Sequence, residues 1–147
     1  DKPFPEGLGG LGIEEEAVVR WLALPMVLLA GDRDIATDDA NLPSNPEALA
    51  QGPHRFGRAH FMLQAGQTEA KARGTPCKWQ LVPIAGIGHD GAAMSRAAAA
   101  FWFEGRVPSV TELGAAREQA ARGPSARQAS QPDDPARDRD HGRGGLL

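Results

Sequence analysis

The sequence predicts an α/β fold in which helices alternate with parallel strands. Two continuous apolar runs of strand length, at residues 26–30 and 79–84, lie between segments whose apolar residues recur at helical spacing. Continuous apolar runs are typical of strands that are buried on both faces of a parallel sheet. The order helix, strand, helix, strand, helix then implies parallel neighbours that are joined by a right-handed crossover.

The first helix is predicted to start at Ile13, where glutamates occupy the first turn and suit the helix dipole. Pro25 ends this helix, because proline lacks the N–H that a helix interior needs. The first strand follows at residues 26–30. Residues 31–34, Gly-Asp-Arg-Asp, then form a sharp turn at the carboxyl end of the strand.

A polar loop is predicted over residues 35–51, and a second helix from about Pro53 to Gly74. Proline is favoured in the first turn of a helix, and glycine commonly follows the last turn. The second strand, at residues 79–84, contains Pro83, which predicts that this strand ends early or lies at a sheet edge.

A third helix is predicted over residues 91–103, with Asp90 as its N-cap and Gly105 as its end. Alanines fill much of this helix and allow it to pack closely on a sheet. All three tryptophans and all five phenylalanines lie at or before Phe103. We therefore expect one domain over residues 1–105.

Residues 106–147 are predicted to hold a short helix around 112–122 and a disordered tail from Gly123. Alanine, arginine, glutamine, serine, proline, aspartate and glycine dominate this part of the chain. Such a composition buries too little apolar area to offset the entropy of ordering.

Two strands alone do not make a stable parallel sheet, because their apolar faces and edges would meet water. The sequence therefore predicts that further strands come from elsewhere, from a missing N-terminal half or from a homo-oligomer. The sequence does not begin with Met, so we expect a processed or truncated piece of a longer chain. No compartment is predicted.

Composition excludes several classes of function. A net charge of −3 provides no basic surface, so no nucleic-acid partner is expected. A single cysteine, Cys77, rules out an internal disulfide framework and a site with several thiolate ligands. The longest apolar run, residues 22–30, is too short to span a bilayer, and no membrane partner is expected. No cofactor is predicted.

Two polar residues follow the predicted strands directly: Asp34 after the first strand and His89 after the second. In open parallel sheets, reactive groups gather at the carboxyl ends of the strands. If the two strands are neighbours, the acid and the histidine face each other. A carboxylate that accepts a hydrogen bond from imidazole Nδ1–H fixes the tautomer and leaves Nε2 as a base. The pair is therefore suited to acid–base chemistry near neutral pH.

Both turns resemble segments of α/β-hydrolases. Residues 25–34, PMVLLAGDRD, are similar to the strand and acid turn of that family, and residues 83–90, PIAGIGHD, to its last strand and histidine turn. The resemblance implies a triad acid at Asp34 and a triad base at His89. Since the family order is nucleophile, acid, histidine, the chain corresponds to the C-terminal half of such a fold. The resemblance also implies hydrolysis of an ester-like small molecule by the completed enzyme.

The chain departs from the family in one large respect. No G-x-S-x-G sequence, the frame that holds the nucleophile, is present, and the oxyanion-hole segment is also missing. We therefore expect the chain to be inactive by itself. An alternative is a non-catalytic remnant or a binding module on a hydrolase-like scaffold.

Other interpretations of these residues remain open. Asp32, Asp38 and Asp39 lie in the same loop as Asp34, which is favoured by the resemblance and by its place just past the turn. Metal binding by these acids does not match the spacing of an EF-hand. On the second helix, His54 and His60 are expected to be solvated or packed. An anion patch formed with Arg55 and Arg58 is an alternative, and a solvated helix face is the simpler account of these residues.

A dinucleotide-binding turn is a further alternative. Residues 86–91 fit G-x-G-x-x-G between a strand and a helix, and Glu112 lies at about the expected distance downstream. The segment at 106–110 is a poor strand, however, and Asp90 would place a carboxylate beside the pyrophosphate. We therefore favour the hydrolase interpretation.

Overall fold

The computed structural model describes residues 7–121, and the predicted disordered tail from Gly123 lies outside them. Helices and strands alternate as the sequence predicts, with one short additional helix in the first long loop. In chain order, the elements are α1 (Glu15–Ala23), β1 (Val27–Gly31), α2 (Pro46–Leu49), α3 (Arg55–Ala72), β2 (Gln80–Ile84), α4 (Gly91–Ala99) and α5 (Val110–Ala121).

The two strands pair in parallel, as predicted, and within residues 7–121 they form a two-stranded sheet. The register runs from Val27 opposite Gln80 to Gly31 opposite Ile84. Both strands therefore end at the same level. Pro83, which has no N–H to donate, is accommodated because β2 lies at an edge of this sheet.

The crossover helix α3 contacts both strands, and a first apolar cluster joins it to α1. The cluster is centred on Trp79, with Leu22 and Ala70 fully buried beside it. The indole N–H of Trp79 donates to the Trp21 carbonyl at 3.2 Å, so the polar end of the ring is satisfied. Gly66 allows this packing, because a Cβ there would lie 2.4 Å from the Trp79 ring.

A second apolar cluster lies between the sheet and α4. Ile84 of β2 and Ile87 of the histidine turn pack against the small Ala93 and Ala97 of α4 and against Leu113 of α5. The alanines bring α4 close to the strands, as the sequence predicts. The second cluster therefore anchors the histidine turn, which contributes Ile87 to it.

The predicted cap of α4 is confirmed: Asp90 Oδ1 accepts from the Ala93 N–H at 3.0 Å. The helix does not continue regularly to Phe103, however. A π-helical turn covers Ala100–Glu104 before Gly105, with φ 69°, ends the segment. Such wide turns in helices frequently mark functional regions. This one leaves Trp102 and Phe103 63% and 89% exposed.

The prediction of a loop over residues 35–51 is wrong in one part, because this segment contains α2. This four-residue helix begins at Pro46, after Asn45, and its residue Ala48 is buried. None of the helices in residues 7–121 is long and apolar enough to cross a membrane.

The helix predicted around residues 112–122 begins earlier, at Val110. Its start is a capping box: Ser109 N–H donates to Glu112 Oε2 at 2.8 Å, and Glu112 N–H donates to Ser109 Oγ at 3.3 Å. The predicted end at Arg122 lies outside the described residues. Arg96 of α4 donates to the Leu113 carbonyl at 3.0 Å and joins the two helices.

Candidate functional site

Backbone hydrogen bonds join the two turns beyond the ends of the strands. The Asp32 N–H donates to the Ile84 carbonyl at 3.1 Å, and the Arg33 N–H donates to the Ile87 carbonyl at 2.9 Å. The Asp34 N–H donates to the Gly31 carbonyl at 3.1 Å and closes the acid turn. The acid turn is therefore held at a fixed height against the histidine turn.

Two features make the close approach of the acid turn and the histidine turn possible. A Cβ at Gly31 would lie 2.2 Å from the Ile87 carbonyl oxygen, so the position accepts only glycine without rearrangement. Asp32 also binds the opposite turn, because its Oδ1 accepts from the Gly86 N–H at 2.8 Å. Gly86 has φ 73°, the left-handed conformation that glycine adopts readily. Asp32 is thus a structural link between the turns.

Asp34 and His89 are brought together by this arrangement. His89 Nδ1 lies 3.0 Å from Asp34 Oδ2. The side chain of Asp34 is 13% exposed, whereas that of His89 is 62% exposed. An ionised carboxylate can only accept hydrogen bonds, so Nδ1 carries the hydrogen and Nε2 of a neutral ring has its lone pair available. The exposed ring can therefore present Nε2 to a second molecule or chain segment.

The second oxygen of Asp34 lies beside Arg55, at the start of α3. Arg55 Nη1 is 3.6 Å from Asp34 Oδ1 and 2.6 Å from Asp39 Oδ2. The Phe56 N–H also donates to the Asp34 backbone carbonyl at 3.1 Å. The first turn of α3 thus contacts the acid turn through both backbone and side chain.

The prediction of a solvated helix face is wrong for Arg55 and Arg58, which are half-buried and bind the preceding loop, whereas His54 is packed, one of its two predicted alternatives. His54 lies before the helix and caps it, with Nδ1 accepting from the Gly57 N–H at 3.0 Å. Arg55 binds the acid loop, and Arg58 donates to the carbonyls of Gly52 and Pro43. A long side chain on a first helical turn reaches the preceding loop, and this loop folds back onto α3.

The metal alternative has no support in the described part of the chain. Within residues 7–121, no group of three or more His, Cys, Asp or Glu residues is placed to hold a metal ion. Asp39 is paired with Arg55, and Asp32 is bound to the Gly86 N–H. These contacts commit two of the four loop acids to structural roles.

The dinucleotide alternative is contradicted by the contacts of the glycine-rich turn. The Gly86 N–H is already bound by Asp32, and Asp90 occupies the N-terminus of α4 where a phosphate would bind. Val110 lies 2.8 Å from the place of a Cβ on Gly86 and covers the turn. Glu112 lies in α5 rather than at the end of a further strand.

Two hollows of residues 7–121 lie away from His89, one against α1 and the other between α4 and α5. Two of the serines are also committed to backbone structure: Ser95 Oγ donates to the Gly91 carbonyl at 2.8 Å, and Ser109 belongs to the capping box.

Comparison with known proteins relates this geometry to hydrolases. The chain matches no family model, and no curated protein sequence matches it significantly. Among solved structures it is similar to LpqC, a poly(3-hydroxybutyrate) depolymerase from Bordetella parapertussis, with 54% identity and a TM-score of 0.73 over 78% of this chain. It is also similar to poly(aspartic acid) hydrolase-1 from Sphingomonas sp. KT-1, with 28% identity and a TM-score of 0.64 over 66% of this chain.

Both neighbours are enzymes of the α/β-hydrolase type, and they support this superfamily as the origin of the scaffold. The mixed helices and small parallel sheet are consistent with a partial α/β fold of such enzymes. The match covers 39% of the depolymerase and 37% of the poly(aspartic acid) hydrolase. The chain therefore spans about two fifths of the length of these neighbours.

Proposed function

We propose that this chain supplies the acid and the base of a Ser-Asp-His triad in an enzyme that hydrolyses ester or related acyl bonds. Asp34 is the acid and His89 is the base. The nucleophile and the oxyanion donors come from a further part of the protein or from another chain. The observation that carries this proposal is the 3.0 Å contact between Asp34 Oδ2 and His89 Nδ1 at the joined ends of two parallel strands.

The geometry accounts for the different catalytic roles proposed for the two side chains. Asp34 accepts from Nδ1–H, keeps the ring in one orientation and stabilises the imidazolium that forms when His89 takes a proton. His89 Nε2 removes the proton from the nucleophile and returns it to the leaving group. The low exposure of Asp34 strengthens the charge interaction, whereas the open imidazole leaves room for a nucleophile.

The neighbours indicate the class of bond. One is named for breaking down poly(3-hydroxybutyrate), a polyester, and the other for hydrolysing poly(aspartic acid), a polymer with amide bonds. Both substrates contain acyl linkages between repeated units. At 54% identity with the depolymerase, an ester-containing substrate is the better-supported choice for this chain. No cofactor is needed for this chemistry.

A chimera tests the proposal without requiring the chain to act alone. This chain would replace the matching 39% of the Bordetella depolymerase, and hydrolysis of a p-nitrophenyl ester would be measured. We expect turnover in the chimera and a fall in kcat of about 10⁶-fold in His89→Gln, the loss that follows removal of a triad base. Asp38→Asn, which changes an exposed acid in the same loop, is the matched control and should retain activity.

Two results would contradict the proposal. A folded chimera whose turnover survives His89→Gln would show that this histidine is not the base. A folded chimera without turnover, whose parent depolymerase is active in the same assay, would favour a non-catalytic remnant or a binding module on the hydrolase-like scaffold.

A further inference from the structure

Two carboxylates converge on a single guanidinium nitrogen next to the candidate pair. Arg55 Nη1 donates to Asp39 Oδ2 at 2.6 Å and lies 3.6 Å from Asp34 Oδ1. The side chain of Arg55 is 21% exposed, so its charge is partly shielded from solvent. Without a cation at this position, the two carboxylates would repel each other across a partly buried space.

The Asp34 carboxylate needs such a neighbour on its inner side. Its Oδ2 is bound to His89, whereas its Oδ1 is buried and has no hydrogen-bond partner. A buried carboxylate oxygen without a hydrogen bond is unfavourable unless a nearby positive charge compensates. Rotation of the carboxylate toward solvent would relieve that oxygen, and it would also break the contact with His89.

Arg55 is itself held in place. It lies in the first turn of α3, directly after the His54 cap, and the next residue, Phe56, donates its N–H to the Asp34 carbonyl. Asp39 binds its Nη1 at hydrogen-bond distance. The guanidinium therefore has a fixed position relative to the acid turn. From there its positive charge attracts Asp34 Oδ1 and opposes rotation of the carboxylate.

The other charged groups around the turns do not duplicate this role. Asp32 accepts from the Gly86 N–H, and Asp90 accepts from the Ala93 N–H. The Arg33 side chain is 72% exposed and lies 4.0 Å from Asp32. Among the described residues, Arg55 is the cation that faces Asp34 from the side opposite His89.

We infer that Arg55 is a positioning residue, which holds the Asp34 carboxylate in the orientation that accepts from His89 Nδ1–H. This inference rests on the proposed function for its catalytic meaning. The physical effect it describes, control of the imidazole tautomer through Asp34, does not depend on turnover. Arg55 acts through Asp34 and needs no contact with substrate.

The test uses the chimera labelled with 15N-histidine and follows the His89 ring by NMR, with His89→Gln to identify its signals. A ring bound to a carboxylate through Nδ1 is held in the Nδ1–H tautomer. In Arg55→Gln, we expect the ratio of the Nδ1–H to the Nε2–H tautomer to fall by about tenfold, the effect of losing a charged hydrogen-bond arrangement. Arg55→Lys retains the positive charge and should restore most of that ratio.

Arg58→Gln is the matched control, since Arg58 lies on the same helix and binds loop carbonyls. It should leave the His89 tautomer unchanged. Asp34→Asn should abolish the preference. An unchanged tautomer in Arg55→Gln would overturn the inference, and so would an equal shift in Arg58→Gln or a lack of rescue by Arg55→Lys.

Asp39→Asn keeps the test decisive if Arg55→Gln does not fold. This variant leaves Arg55 in place and frees Nη1 to close the 3.6 Å gap to Asp34 Oδ1. The Nδ1–H tautomer should then be retained, and its loss would overturn the inference. These tautomer measurements need no turnover, so failure of the positioning role and failure of the proposed function give different results.

Discussion

Gly31→Ala is expected to separate the acid turn from the histidine turn. The added Cβ would lie 2.2 Å from the Ile87 carbonyl oxygen, well inside the 3.4 Å at which ordinary contact begins. The obstructing atoms are backbone atoms and cannot rotate away. The same carbonyl accepts from the Arg33 N–H at 2.9 Å, so relief of the clash also breaks that hydrogen bond.

The magnitude follows from these two terms. Overpacking a tight site costs about 1–3 kcal/mol, and the lost hydrogen bond adds about 1 kcal/mol. A loss of about 3 kcal/mol corresponds to roughly 6–12 °C in Tm for a domain of about 150–250 residues, the scale appropriate to the chimera. Gly88→Ala is the matched control on the opposite turn, because its Cβ would meet the Arg33 carbonyl at an ordinary 3.6 Å.

Thermal denaturation followed by circular dichroism compares the two variants with the unmodified sequence, all three in the chimera. We expect a large fall in Tm for Gly31→Ala and a change of only a few degrees for Gly88→Ala. Equal Tm values for the two variants would refute the reasoning, because the close backbone approach at Gly31 would then not constrain the turns.

Three further outcomes are expected. Gly66→Ala should lower the free energy of unfolding by about 1–3 kcal/mol, because it forces the Trp79 ring aside. Gly114→Ala, with open space at its Cβ, should raise it by about 0.5–1 kcal/mol, and urea denaturation of the chimera measures both changes. A hydrogen bond from the Ser109 N–H lowers the pKa of Glu112 below its ordinary value. The ionised carboxylate therefore stabilises the fold above that ordinary pKa, and this stabilisation is lost as the pH falls through the lowered pKa. Glu112→Gln should therefore flatten the acid limb of the stability profile, and an unchanged profile would contradict this. The isolated chain should show no esterase turnover above the uncatalysed rate, and turnover that depends on its own residues would contradict the need for a further segment.

Local signals explain what the sequence predicts well. Both strands are continuous apolar runs, and their observed bounds differ from the predicted ones by one residue at most at either end. Asp90 precedes an alanine-rich helix and caps it as expected. Asp34 and His89 could be placed together because parallel neighbours align their carboxyl ends, which needs only the order of elements and the identity of the residues after each strand.

Long-range contacts explain what the sequence does not predict. The partners of Arg55 depend on how the loop after β1 folds back onto α3, and no periodicity encodes that path. The short helix α2 depends on the burial of Ala48. The π-helical turn at Ala100–Glu104 also leaves no signal in an alanine-rich pattern. By contrast, the spacing of Ser109 and Glu112 was a readable capping box that could have placed the start of α5.

A double-mutant cycle on the chimera tests the central claim most directly, by measuring kcat for Asp34→Asn, His89→Gln and the double variant. Members of a triad act as a unit, so their losses are strongly non-additive. If Asp34 serves only to orient and stabilise His89, the double variant should lose no more activity than His89→Gln alone. Losses that multiply in the double variant, or an Asp34→Asn variant with full activity, would contradict the assignment of these two residues as a catalytic pair.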